Sequence, residues 1–123
     1  MFGGVLERFP GLNIVLSHGG GFTPYQAARW VHGWAERAEA KVCLRGEPGP
    51  SIDRLLFDTI LHGPRQLQFL VDWAGAERVM LGSDYPFDMG QYDAVEVIDS
   101  LRLTSAQRNA LLHASADARL PRA

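Results

Sequence analysis

The chain has 123 residues, close to half of them hydrophobic (46%), and a formal net charge of −2. That length and apolar content suit one domain with a core. The scattered Lys and Arg form no basic stripe of the kind that binds nucleic acid, and no apolar run reaches the roughly 20 residues of a membrane helix. Neither nucleic acid nor a membrane is therefore an expected partner.

Glu7 and Arg8 stand where a signal peptide would need its apolar stretch. The single cysteine, Cys43, permits no internal disulfide and fits a reducing cytosol, so a cytoplasmic location is expected. It also excludes a Cys-rich zinc site, so any metal would have to be held by His, Asp or Glu.

Val5 to Phe9 reads as the end of a helix, stopped by Pro10-Gly11. Leu12 to Ser17 is apolar at nearly every position and reads as a strand covered on both faces, as in a parallel sheet. It runs into His18 and a tight turn at Gly19 to Gly21. Thr23-Pro24 follows as N-cap and first helical residue of a helix expected to reach about Ala38. Tyr25, Arg29, His32 and Glu36 share one face of that helix, and Ala28, Val31 and Ala35 another.

Lys41 to Pro50 holds four Gly and Pro breakers and reads as a loop. Leu55 to Ile60 is the second strand. Gly63-Pro64 opens a helix through Trp73 that ends at Gly75. Arg78 to Ser83 is the third strand, Pro86 to Gln91 a loop, and Ala94 to Leu101 a helix. Thr104-x-x-Gln107 is a capping box for a last helix over Ser105 to Ala116. The order α-β-α-β-α-β-α-α implies βαβ units and a parallel sheet. Such a sheet is either a very small open one or a slice of a barrel.

A parallel sheet brings His18 and Asp84, each just past a strand, to the same carboxyl edge, where α/β folds keep their chemistry. Imidazole moves a proton near neutral pH with little tuning. A carboxylate such as Asp84 is a hard oxygen ligand for zinc and can orient a metal-bound water. A rival reading is an anion cradle, because the N–H groups at Gly20 to Thr23 precede a helix start, although the glycine spacing matches neither the dinucleotide nor the P-loop pattern. His62 follows the second strand and reads as a loop histidine, whereas His32 and His113 lie on helices. Asp58 sits inside an apolar strand, where a carboxylate needs partners.

Gly4-Val5-Leu6-Glu7-Arg8-Phe9-Pro10-Gly11-Leu12, Ser17-His18-Gly19-Gly20-Gly21, Arg29 and Leu81-Gly82-Ser83-Asp84-Tyr85-Pro86-Phe87, in that order, resemble the amidohydrolase-related family, above all its decarboxylase branch. The resemblance covers essentially the whole chain. It implies an α/β fold and the C-terminal third, about strands six to eight with their helices, of a (β/α)₈ barrel. A complete barrel typically needs about 250 residues. Residues 1–123 are accordingly expected to form one partial barrel domain, with Met1 an internal methionine or a false start.

By the same resemblance, His18 is the general acid/base, Asp84 a ligand of a divalent metal, usually zinc, and Arg29 the residue that holds a substrate carboxylate across a subunit boundary. Phe87 would wall the substrate site. The family's early His-x-His pair and its fifth-strand histidine have no counterpart here. The expected function is thus the C-terminal part of a metal-dependent decarboxylase or hydrolase of an unsaturated or aromatic carboxylic acid. The alternative is a truncated, inactive piece that serves only in association. In either case the chain alone is expected to bind no tight Zn²⁺, and to pair as a homodimer or with the missing N-terminal barrel portion.

Overall fold

At the centre of the molecule is a three-residue strand, Leu56–Asp58 (β2), whose side chains are all buried. In this computed structural model, which describes residues 1–120, β2 lies between Val15–Leu16 (β1) and Val79–Met80 (β3). All pairings are parallel, with Val15 opposite Leu56, Leu16 opposite Phe57, Phe57 opposite Val79 and Asp58 opposite Met80.

The helices are α1 (Val5–Arg8), α2 (Thr23–Glu36), α3 (Gly49–Ile52), α4 (Pro64–Ala74), α5 (Ala94–Asp99), α6 (Ser105–Asn109) and α7 (Ser115–Arg119). Crossover helices between parallel strands make the fold α/β, as the alternating pattern implies.

Helix α4 covers the sheet with Leu67, Leu70, Val71 and Ala74, the i, i+3, i+4, i+7 stripe of an amphipathic helix. These residues join Leu6, Leu55, Phe57, Val79, Ile98 and Leu111 in one core. The Phe57 ring is fully buried and meets Trp73 edge-on, with centroids 5.7 Å apart. Burying one such large side chain contributes about 1.5–3 kcal/mol. The edge strands are less covered: Leu12, Val15 and Leu81 are each about 40% exposed. The continuous apolar run before His18 is therefore not buried on both faces.

The ladders are shorter than the apolar runs. Leu12 still belongs to the turn after Pro10, its N–H donating to the Phe9 carbonyl (3.1 Å). Beyond Met80, the chain is tied to side chains and to the C-terminal helix instead of to strand neighbours. Thr23 is already helical and buried, and Phe22 occupies the cap position without a side-chain cap. The inner face of α2 is Thr23 and Ala27, whereas Ala28 and Ala35 are exposed. A helical turn, α3, occupies the end of the expected loop, where Pro50 supplies a pre-set φ at a first-turn position.

The Thr104–Gln107 capping box forms in both directions. The helix it starts continues to Arg119 through a π turn at Ala110–Ala114. That wide turn presents the Leu111 carbonyl to the Leu81 N–H (2.9 Å), while Ser115 Oγ donates to the Ala76 carbonyl (3.0 Å). The C-terminal helix is thereby fastened to both ends of β3.

The other edge is fastened by Arg54. Its guanidinium donates to the carbonyls of Leu6, Pro10 (2.7 Å) and Leu12 (3.3 Å), which gathers the chain that enters β1. At the surface, Arg108 forks onto Asp99 through Nε (2.6 Å) and Nη2 (3.1 Å). That hydrogen-bonded pair holds the Asp99 carboxyl below its ordinary value and raises the Arg108 guanidinium.

Candidate active site at the carboxyl edge of the sheet

His18 follows β1 and Asp84 lies beyond β3, so both stand at the carboxyl ends of parallel strands. His18 Nε2 is 3.4 Å from Asp84 Oδ2, the imidazole 62% exposed and the carboxylate 22%. The sheet thus brings together, across the intervening strand, the two residues singled out from the sequence. Both have positive φ (56° and 59°), as does His62 (55°). A non-glycine residue in that region costs on the order of 1–3 kcal/mol and persists only where its surroundings over-determine it.

Those surroundings are buried polar side chains. Asp58, only 8% exposed, accepts the His18 N–H on Oδ2 (3.0 Å) and the Gly19 N–H on Oδ1 (2.9 Å). Oδ1 also accepts the Ile60 N–H (3.1 Å). These are the partners that a carboxylate in an apolar strand requires. Gln91, 3% exposed, accepts the N–H groups of Leu61 (3.2 Å) and His62 (3.0 Å) on Oε1. Its own N–H donates to the Ser83 carbonyl (2.8 Å). Thr59 Oγ1 accepts the Gly82 N–H (3.1 Å).

The glycine turn serves packing. Gly20 has φ +76°, and a Cβ there would lie 2.7 Å from the Phe57 ring; at Gly19 it would lie 2.6 Å from Leu61. The N–H groups of Gly20 and Gly21 donate to the Ser17 and His18 carbonyls (both 3.0 Å), and that of Gly19 is taken by Asp58. These donors are spent inside the protein, which removes the anion-cradle reading for the glycines themselves.

Of the remaining site candidates, Phe87 is tied to the pair through its backbone, its N–H donating to the Asp84 carbonyl (2.9 Å), whereas Arg29 lies in a separate groove. Arg29 projects from α2 into an open groove of about 620 Å³ lined by Phe2, Gln26, Trp30, His32 and Glu36, which includes neither His18 nor Asp84. Arg29 makes no ion pair among the described residues. Phe87 is 63% exposed, in a loop with the exposed Tyr85 and Met89.

Among the described residues, no three His, Cys, Asp or Glu side chains gather as a metal site. One imidazole and one carboxylate fall short of the roughly three protein ligands of a catalytic zinc. The described residues of this chain do not by themselves fit a divalent metal. None of its helices, among the described residues, is long and apolar enough to cross a membrane.

Asp58 was visible in the sequence as a charge within an apolar run, but its partners were not. Gln91 carried no signal, since a polar residue in a loop is ordinary.

Comparison with known proteins bears on the family and the fold. A family profile described as amidohydrolase matches residues 1–121. A 2-amino-3-carboxymuconate-6-semialdehyde decarboxylase from Dictyostelium discoideum is 34% identical over 103 residues, which is 83% of this chain and 29% of that protein. The 5-carboxyvanillate decarboxylase structure from Sphingomonas paucimobilis superimposes with a TM-score of 0.81 at 26% identity, covering 95% of this chain and 36% of that one.

A dihydroxybenzoic acid decarboxylase from Polaromonas, solved with manganese and an inhibitor, gives a TM-score of 0.75 at 21% identity over 89% of this chain and 34% of its own. The chain therefore spans about a third or less of the relatives it matches. Its three parallel strands and their helices correspond to that share of a TIM barrel. The chain belongs to the amidohydrolase family.

Proposed function

We propose that this chain supplies the proton-moving histidine and one metal-binding carboxylate of a decarboxylase or hydrolase that acts on an unsaturated or aromatic carboxylic acid. The observation that carries the reading is the 3.4 Å approach of His18 Nε2 to Asp84 Oδ2 at the carboxyl edge of a parallel sheet. The 34% identity to a decarboxylase supports the reaction class.

In decarboxylation, His18 gives a proton to the carbon that bears the carboxylate. The carbon–carbon bond then breaks, its electron pair returns to the carbon framework, and CO₂ leaves. In hydrolysis, His18 instead takes a proton from the water that attacks a carbonyl and gives it to the leaving group as the bond from the carbonyl carbon to that group breaks. The exposed imidazole is open to substrate from the solvent side. Asp84 orients the ring, and in the assembled enzyme it would give one oxygen to a divalent metal, zinc or another such as manganese. The other ligands must come from outside this chain.

Residues 1–123 act in this reading as one partial barrel domain of a cytoplasmic protein, completed by the N-terminal barrel portion. Arg29, in its groove away from the His18–Asp84 edge, suits a carboxylate bound at the neighbouring subunit of a homodimer, because its planar fork matches two oxygens. Phe87 supplies an apolar wall.

The test is a chimera in which this chain replaces the matching third of the Dictyostelium decarboxylase, assayed for CO₂ release with metal content measured beside it. Activity is expected, and His18→Gln should lower it by about 10²–10⁴-fold with metal retained. Asp84→Asn should lose metal and activity together. A folded, metal-loaded chimera that is inactive, or one indifferent to His18→Gln, would refute the reading.

A further inference from the structure

Two of the three hydrogen bonds that the buried Asp58 carboxylate accepts come from the residues that begin the turn after β1. We propose that Asp58 is a positioning residue, whose carboxylate fixes the left-handed backbone of His18 and so aims its imidazole at Asp84. The proposal rests on the reading of His18 as the proton-moving group. Its test follows local geometry and not turnover, so each can fail without the other.

The argument is one of donors and acceptors. His18 and Gly19 both have positive φ, 56° and 58°, and their consecutive N–H groups both donate to one carboxylate. Asp58 places one oxygen on each N–H, at 3.0 and 2.9 Å, from the end of the neighbouring strand. Oδ1 is braced in turn by the Ile60 N–H, so the side chain has little freedom to swing. Glycine meets the conformational demand at position 19 without help, but a histidine at position 18 does not. Its left-handed backbone needs an external tether, and Asp58 is the hydrogen-bonding partner the structure gives its N–H. Asn at position 58 keeps the shape but turns one acceptor into an NH₂ donor that faces an N–H.

The experiment is residue-resolved amide exchange and ring-proton NMR on this chain, with Asp58→Asn and Asp84→Asn. In the wild type, the His18 and Gly19 amides should exchange at least about tenfold more slowly than an unstructured peptide. Asp58→Asn should abolish that protection at one or both amides. It should also remove the proton contact between the His18 ring and the Asp84 side chain, while the ladder amides of Leu56 and Thr59 stay protected. Asp84→Asn should leave the His18 and Gly19 amides as they were, because the tether lies upstream of the pair.

Unchanged ring contact and amide protection in a folded Asp58→Asn variant would overturn the proposal. If that variant loses its ladder protection, the wild type decides: His18 and Gly19 amides that exchange as fast as an unstructured peptide would also overturn it.

Discussion

The same chemical change, glycine to alanine, should have opposite signs at two positions of this chain. At Gly33, within α2, an added Cβ meets nothing within 4 Å and φ is not positive. There alanine removes backbone freedom from the unfolded chain and should stabilise by about 0.5–1 kcal/mol. At Gly20, φ is +76° and the Cβ would lie 2.7 Å from two atoms of the Phe57 ring. The left-handed backbone alone costs alanine about 1–2 kcal/mol.

Phe57 has no exposed surface and packs against Trp73, so its ring has no free direction in which to yield. Overpacking of that kind adds about 1–3 kcal/mol. Gly20→Ala should thus destabilise by about 2–5 kcal/mol, a large share of the roughly 5–15 kcal/mol that holds a domain together. Urea unfolding followed by fluorescence of the three tryptophans reads both variants on one scale. Combining Gly20→Ala with Phe57→Leu separates the two costs. The steric part should be partly relieved, with a coupling of about 1–2 kcal/mol, and the backbone part should remain. A Gly20→Ala variant within about 0.5 kcal/mol of wild type, or one that shows no coupling to Phe57→Leu, would refute the packing argument.

Arg54→Ala should lose about 2–3 kcal/mol, because a charged donor is withdrawn from the carbonyls of Leu6, Pro10 and Leu12; Arg54→Lys should recover less than half of this in the same urea assay, since an ammonium lacks the fork. Thr104→Ala removes a capping box formed in both directions and should cost about 1 kcal/mol, read as a lower thermal midpoint. Asp99 is depressed below its ordinary value in the folded chain, so its pairing with Arg108 stabilises at pH values above the ordinary carboxylate range. That contribution should fade as the pH falls through the depressed folded value, and melting curves of Asp99→Asn should differ from wild type at neutral pH but converge with it in acid.

What the sequence revealed followed how local each feature is. The α4 stripe of Leu67, Leu70, Val71 and Ala74 and the Thr104 capping box depend on neighbours within one helical turn, so both were legible. His18 and Asp84 stood out because each ends an apolar run, and parallel pairing carried them to one edge. Features that depend on distant residues were hidden. The buried face of α2 is set by what lies beneath Thr23 and Ala27, and no periodicity within the helix distinguishes those positions from Ala28 and Ala35. The π turn at Ala110–Ala114, which meets the Leu81 N–H across the fold, breaks a helix whose sequence reads as uninterrupted. Gln91 orders the loop after β2 from a separation of 29 and 30 residues.

The separation of His18 and Asp84 is set by the strand between them. At the end of β2, two consecutive residues reach opposite ways: Asp58 takes the N–H groups of His18 and Gly19 beyond β1, and Thr59 takes the N–H of Gly82 beyond β3. None of these three bonds runs along a ladder, so each can hold a chain that has already left strand geometry. Gln91 adds a third tie, since it accepts from His62 while its own N–H donates to Ser83, next to Asp84.

A left-handed histidine or aspartate at the tip of an isolated strand would relax, because the conformation costs more than a solvent hydrogen bond returns. Here Asp58, Thr59 and Gln91 are themselves buried, and relaxation of the strand ends would leave their acceptor oxygens short of partners, so the penalty avoided offsets the strain. The backbone that carries His18 is therefore held by the buried carboxylate beneath it. A substitution at Asp58 should disturb the site more than one at the exposed Tyr85 or Phe87, although those side chains stand beside it in the sequence.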